Sequence, residues 1–290
     1  MESSLLCCET DKELRAELDP VLLQSMVLEK LLTAQERYTP TPTYFQCVQR
    51  EMHPYMRKML TSWMLEVCED LRCGEEVFPL AVNCLDRFLS LVPIEKRQLQ
   101  LLGATCLLLA SKLKESEGIT TKSLCMYSDY SFTETEVQSM ELLVLNKLKW
   151  DIVAVTPKDF LPYFMAMMRL PAEKVEQVKK HTETFIALCT TDCTFIALPP
   201  SLVAAASLAA AVTGLRSENL GIVYSSLTTT NYLAQAIRCD PNILRICQEQ
   251  IEASLGSNLQ QAERNQAPVS KTMDQIERAS TPIDVLDFDI

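Results

Sequence analysis

Hydrophobic positions along this chain recur every three or four residues, a spacing that predicts helices over most of its length. The stretch from Met56 to Lys114 reads as three helices, and the third has no polar side. Leu101-Leu102-Gly103-Ala104-Thr105-Cys106-Leu107-Leu108-Leu109-Ala110-Ser111 carries no charge. A helix that is apolar all round must be wrapped by other helices. This one ends in Lys112, Lys114 and Glu115. A buried central helix with a charged end marks a compact bundle whose rim can grip something.

The remaining pattern divides the chain into five parts. Residues 1–20 are a polar, acidic tail with one apolar knot at Leu5-Leu6-Cys7-Cys8. Residues 21–53 form an N-terminal helical segment: an amphipathic helix from Val21 to Arg37, a break at Thr39-Pro40-Thr41-Pro42, and a short helix from Tyr44. Residues 54–152 hold five helices. Pro54 opens the first, which Gly74 ends; the second spans Glu76 to Leu91, and Pro93 starts the buried third, which ends near Leu113. Thr120 caps the fourth, and the capping box Thr133-Glu134-Thr135-Glu136 opens the fifth. Phe45, Val48, Met52, Met59 and Val67 read as the stripe facing the core. The count repeats over 153–255: Pro157, Pro171 and Pro200 open three helices, Ser217–Leu227 is the fourth, and Asn231–Ile237 with the stretch after Asp240-Pro241 supplies the rest. Each half places an uncharged helix third, as in two copies of one unit. Residues 256–290 carry no helical stripe and read as a disordered tail. The fold class is therefore all-α: two tandem five-helix bundles with flexible N- and C-terminal tails.

Composition narrows the function. Acidic residues outnumber basic ones, 38 to 27, for a net charge of −11, which argues against a nucleic-acid partner. The 6 glycines form no phosphate-cradling loop. The 12 cysteines sit mostly among apolar helical residues, and Met1-Glu2-Ser3-Ser4 does not begin a secretory signal. Free thiols in a reducing compartment are expected. No C-x-x-C occurs, and His53 and His181 are isolated, so no metal site is expected. Cys193 to Leu215 is uncharged, yet Pro199-Pro200 breaks it and what remains is too short and too weakly apolar to span a membrane. Nothing assembles a catalytic constellation, so neither catalysis nor a cofactor is expected.

Binding is the better reading. Met56, Leu60 and Trp63 share one face of their helix, beyond what a single core needs. Either both faces are buried, by the bundle and the N-terminal helix, or one is an apolar groove for a peptide. Lys112 lies in the last turn of the buried helix, where a cation suits the helix dipole, and Glu141 lies mid-helix among leucines. They are either ordinary surface charges or partner contacts. Leu5, Cys7 and Glu9 would share one face of an extended segment able to lie in a partner's groove.

These residues also resemble a known family. Met56-Arg57-Lys58-Met59-Leu60-Thr61-Ser62-Trp63-Met64, Leu85-Asp86-Arg87-Phe88-Leu89-Ser90, Leu99-Gln100-Leu101-Leu102-Gly103, Ala110-Ser111-Lys112 and Met140-Glu141 look like the signature of a cyclin box. The N-terminal motif and Thr281-Pro282 narrow the resemblance to the D-type cyclins of the G1/S transition. The family's box residues carry over to Arg57, Asp86, Leu101, Lys112 and Glu141. The resemblance implies that Arg57 pairs with Asp86 and that Lys112 and Glu141 hydrogen-bond a cyclin-dependent kinase, of the four or six type. It implies that Met56, Leu60, Trp63 and Gln100 dock R-x-L peptides of substrates and Cip/Kip-type inhibitors. Leu5, Cys7 and Glu9 would bind a retinoblastoma-family pocket protein. Phosphorylated Thr281 would send the chain from nucleus to cytoplasm and to a ubiquitin ligase. Two other readings stay open: a two-repeat helical transcription factor, and a peptide-binding scaffold that engages no kinase.

Overall fold

The computed structural model describes residues 25–168, 170–216 and 226–266, and all regular elements among them are helical. Two helices lead in: α1 (Ser25–Tyr38) and the single turn α2 (Tyr44–Cys47). The first repeat follows as α3 (Pro54–Asp70), α4 (Val77–Leu89), α5 (Leu99–Lys114), α6 (Thr121–Tyr127) and α7 (Glu134–Lys147). The second is α8 (Pro157–Met168), α9 (Ala172–Thr191), α10 (Pro200–Arg216), α11 (Ser226–Ala236) and α12 (Pro241–Gln266). The all-α, twice-five arrangement read from the spacing is therefore present. The N-terminal knot, most of the Ser217–Leu227 segment and the stretch holding Thr281 lie outside the described residues.

Local chemistry explains the helix starts. At α7 the Thr133 hydroxyl accepts from the Glu136 N–H at 3.3 Å, while the Glu136 carboxylate accepts from the Thr133 N–H at 2.8 Å. Thr120 caps α6 through the Ser123 N–H at 3.1 Å. The buried third helix begins at Leu99, not at Pro93, behind a 3₁₀ turn over Lys96–Gln98. The reason is Gln49. Its side-chain amide donates to the carbonyls of Leu89 (2.6 Å) and Val92 (2.7 Å), and its carbonyl accepts the Ile94 N–H (3.0 Å). The 89–94 segment thus satisfies its backbone groups outside a helix. The helix read as Asn231–Ile237 starts already at Ser226, and the last helix runs on to Gln266, past residue 255, where the hydrophobic stripe ends and the sequence pattern places the start of the tail.

The end of α3 differs from the sequence reading as well. The left-handed residue is Arg72 (φ 53°), not Gly74. The Arg72 N–H donates to the Glu69 carbonyl and the Cys73 N–H to the Cys68 carbonyl, at 3.1 and 2.9 Å. These are the two bonds of a Schellman motif, and they are strong enough here to hold a side-chain-bearing residue at positive φ.

Each repeat is built around its third helix. In α5, Leu102, Ala104, Cys106, Leu107 and Ala110 are shut off from solvent, and so are Ala204, Ala205, Ala206, Leu208 and Val212 in α10. The first wraps α5 with α3, α4 and α7; the second wraps α10 with α8, α9 and α11. Contact between α3 and α5 depends on Gly103: a Cβ there would lie 2.8 Å from Leu60 Cδ1 and 3.2 Å from Met64 Sδ. Gly103→Ala should therefore force the Leu60 and Met64 side-chain ends aside, and after the roughly 1 kcal/mol that alanine gains inside a helix the net loss of stability should be about 1 kcal/mol. A denaturant midpoint equal to wild type would contradict that tight approach.

Met59 is a correction. Read as core, it is 68% exposed. The buried side of α3 is Arg57, Leu60, Thr61, Met64, Val67 and Cys68. Two polar residues occupy stripe positions that an apolar pattern would have given to others, which rotates Met59 out.

Helix α1 belongs to the second repeat. Leu28, Leu31 and Leu32 join its core, and the Gln35 side-chain oxygen accepts the buried Ser201 N–H at 2.9 Å, at the start of α10. The other end of α1 reaches the inter-repeat linker. There Tyr38 donates to Asp151 at 3.0 Å, Arg37 pairs with the same carboxylate at 2.5 Å, and the Asn83 amide donates to the Tyr38 carbonyl at 2.8 Å.

Candidate functional site

The most deeply buried charges join α3 to α4. Arg57 and Asp86 are 2% and 3% exposed. Arg57 donates from Nε to Asp86 Oδ1 and from Nη2 to Oδ2, both at 2.7 Å, a bidentate fork. The Tyr44 hydroxyl donates to Oδ1 at 3.0 Å. Burial first, and the neighbouring carboxylate second, hold the Tyr44 phenol protonated far above its ordinary range.

The same guanidinium reaches into the second repeat. Nη1 donates to the Thr191 carbonyl at 3.2 Å and Nη2 to the Thr190 carbonyl at 3.1 Å. These are the last carbonyls of α9, which have no acceptor role inside their own helix and carry the negative end of its dipole. Thr61 adds a longer contact to Thr191 at 3.3 Å. Arg57 thus closes the ion pair of one repeat and caps a helix of the other. It orders the scaffold and faces no solvent.

The rim is at the end of α5. Lys112 Nζ lies 2.6 Å from Glu141 Oε1, which joins α5 to α7; the lysine side chain is 50% exposed and the glutamate 17%. Leu113 beside the lysine and Leu142 beside the glutamate are exposed as well. The backbone here is firmly held. The Ser111 hydroxyl accepts the Ile119 N–H at 3.0 Å, Glu115 accepts the Gly74 N–H at 2.6 Å, and Lys114 pairs with Glu76 at 3.0 Å.

The Met56, Leu60, Trp63 and Gln100 set lies on another side of α3. Leu60 is buried beneath, while Met56, Trp63 and Gln100 are half-exposed. Helix α1 does not cover them, since it packs on α8 and α10. The Trp63 indole donates to the Tyr127 carbonyl at 3.3 Å, and Gln100 accepts from the Ser131 hydroxyl at 3.1 Å. The result is a surface of three half-exposed side chains over a buried leucine, between the two alternatives left open by the pattern. Leu101 is buried under it at 9% exposure.

Sequence reasoning missed several members. Tyr44 was read only as a helix start, and nothing in its neighbourhood marks it as a partner of Asp86. The Thr190 and Thr191 acceptors are backbone atoms, which no residue type encodes. Leu5, Cys7, Glu9 and Thr281 lie outside the described residues.

A model of the cyclin N-terminal domain matches residues 26–153, and one of the cyclin C-terminal domain matches residues 155–281. The chain belongs to the cyclin family, and within it to the D-type, G1/S-specific group. It is 50% identical to G1/S-specific cyclin-D1 of Danio rerio over 100% of both chains. It is equally 50% identical to G1/S-specific cyclin-D1 of Homo sapiens, again over 100% of both. Among solved structures it is similar to a viral cyclin from herpesvirus saimiri, with a TM-score of 0.69 and 27% identity over 79% of this chain and 97% of that one.

Proposed function

We propose that this chain is the regulatory subunit of a cyclin-dependent Ser/Thr kinase of the four or six type, acting at the G1/S transition. The observation that carries the kinase contact is the Lys112–Glu141 pair, set on a fixed backbone between exposed leucines. Such a kinase is switched on when its C-helix swings in and its glutamate pairs with the catalytic lysine. A bundle already ordered before binding can hold that helix with little further loss of freedom. The chain itself contributes surface, not reacting groups. In the test, the full chain is added to the isolated kinase. Phosphate transfer to a retinoblastoma-protein fragment should rise, and a kinase left as idle as before would reject the reading.

Substrate recruitment is assigned to the N-terminal Leu5, Cys7 and Glu9. Tethering a pocket protein there raises its effective concentration at the kinase without any new chemistry. Cys7→Ala should weaken capture of the retinoblastoma protein at least tenfold, about 1.4 kcal/mol, and leave kinase capture unchanged. Equal capture by the variant would remove the assignment.

Thr281 is assigned as the phosphorylation site that controls turnover. A phosphate adds about −1.5 to −2 charge to a segment that already holds Asp284, Asp287 and Asp289. A separate reader, a ubiquitin ligase, suits that charge better than any contact within the segment. Thr281→Ala should lengthen the cellular half-life and shift the chain from cytoplasm towards nucleus. An unchanged decay curve and unchanged fractionation would count against it.

A further inference from the structure

The Schellman motif at the end of α3 sets two thiols against each other. In that geometry the N–H of the residue after the left-handed position bonds the carbonyl of the residue five earlier, which brings their side chains to the same side of the chain. The hydrogen bonds of this motif recur at Asp129, Lys149 and Arg238. There the backbone-bonded pairs are Cys125 with Tyr130, Leu145 with Trp150, and Ala234 with Cys239. At Arg72 the pair is Cys68 with Cys73.

These two cysteines line a cleft of about 410 Å³ between the end of α3, the start of α4 and the flank of α9. Leu65, Phe78, Ile186 and Ala187 give it apolar walls. Lys158, bridging Glu75 and Glu183, forms part of its polar side, and the exposed Lys180 stands at its edge. That volume and that mixture are typical of a small-molecule site. Cys68 is buried and Cys73 half-exposed, so only Cys73 can meet an incoming ligand. The hydrogen bond from Cys68 lowers the Cys73 thiol below its ordinary range despite burial, while that bond and burial push Cys68 up.

We propose that this cleft is a covalent site for small, apolar α,β-unsaturated carbonyl compounds, with Cys73 as the nucleophile and Cys68 as its positioning hydrogen-bond donor. The Cys73 thiolate sulfur bonds to the β-carbon, and the C=C π pair moves onto the α-carbon and carbonyl oxygen. A proton from water then completes the α-carbon, so nothing is oxidised or reduced. Lys180 supplies the cation for the developing charge on the carbonyl oxygen. The site stands apart from the kinase reading and needs no partner chain.

The probe is N-phenylacrylamide, applied to the reduced full-length chain and followed by intact mass and peptide mapping. Cys73 should gain the adduct at least about fivefold faster than the exposed Cys47. Cys68→Ala should slow Cys73 about fivefold, and Cys68→Ser, which keeps an O–H donor, should retain most of the rate. In urea the preference should vanish. Labelling of Cys47 ahead of Cys73, or a Cys73 rate unchanged in Cys68→Ala, overturns the proposal. If Cys68→Ala does not fold, the wild-type ratio and Cys68→Ser decide.

Discussion

Arg57→Ala should lower the unfolding free energy by about 3–5 kcal/mol. The substitution leaves the buried Asp86 carboxylate with the Tyr44 hydroxyl as its one remaining hydrogen-bond donor among the described residues. It also strips the Thr190 carbonyl of its Arg57 donor and leaves the Thr191 carbonyl with the longer Thr61 contact. Two penalties therefore add: an uncompensated charge in a region closed to water, and an uncapped helix end between the repeats. Removing the charge as well should reverse the first penalty only. Arg57→Ala combined with Asp86→Leu should be more stable than Arg57→Ala alone by about 1 kcal/mol or more. Equilibrium denaturation in urea measures both. A single-variant loss under about 1 kcal/mol would mean that the pair behaves as a surface bridge, and the inter-repeat clamp described above would be wrong.

Lys112→Glu should do the opposite, with little effect on folding and a large one on binding. Half the lysine side chain is in solvent, so its 2.6 Å bridge to Glu141 is worth about 1 kcal/mol or less. Putting a second carboxylate beside Glu141 adds repulsion of similar size. At a kinase interface the same change removes a donor and leaves a charge facing the partner, a loss of about 2–5 kcal/mol. Capture of the kinase should fall at least thirtyfold, about 2 kcal/mol. The swap Lys112→Glu with Glu141→Lys separates the two roles. It restores the bridge and the stability but presents the charges in the wrong order, so kinase capture should stay low. Retained capture in the single variant would remove the kinase contact from this rim.

How far these sites were legible depends on what each one is made of. Arg57, Asp86, Lys112 and Glu141 were singled out as side chains of the right type, and the structure shows each pair in contact. Their geometry was not legible, because the partners of Arg57 include two carbonyls more than 130 positions along the chain. Met59 was misplaced for a related reason. Arg57 and Thr61 are polar but buried, since Asp86 and the α9 carbonyls satisfy them, and a stripe read from hydrophobicity cannot foresee that satisfaction. The Cys68–Cys73 contact also escaped. Spacing alone does not reveal that Arg72, rather than Gly74, takes the left-handed position that folds one thiol over the other.

By itself the sequence determined that the chain is helical, the caps of α6 and α7, the doubling of a five-helix unit and the burial of its third member. These follow from periodicity and from hydrogen bonds made within a few residues, such as those of Thr133 with Glu136. Only the tertiary structure decided that α1 serves the second repeat, that Arg57 caps α9, and that Leu60 is buried while Met56, Trp63 and Gln100 around it stay half-exposed. Those outcomes depend on which satisfied polar groups and which tight approaches coexist in three dimensions. At Gly103 that choice comes down to the room left for a single methyl group.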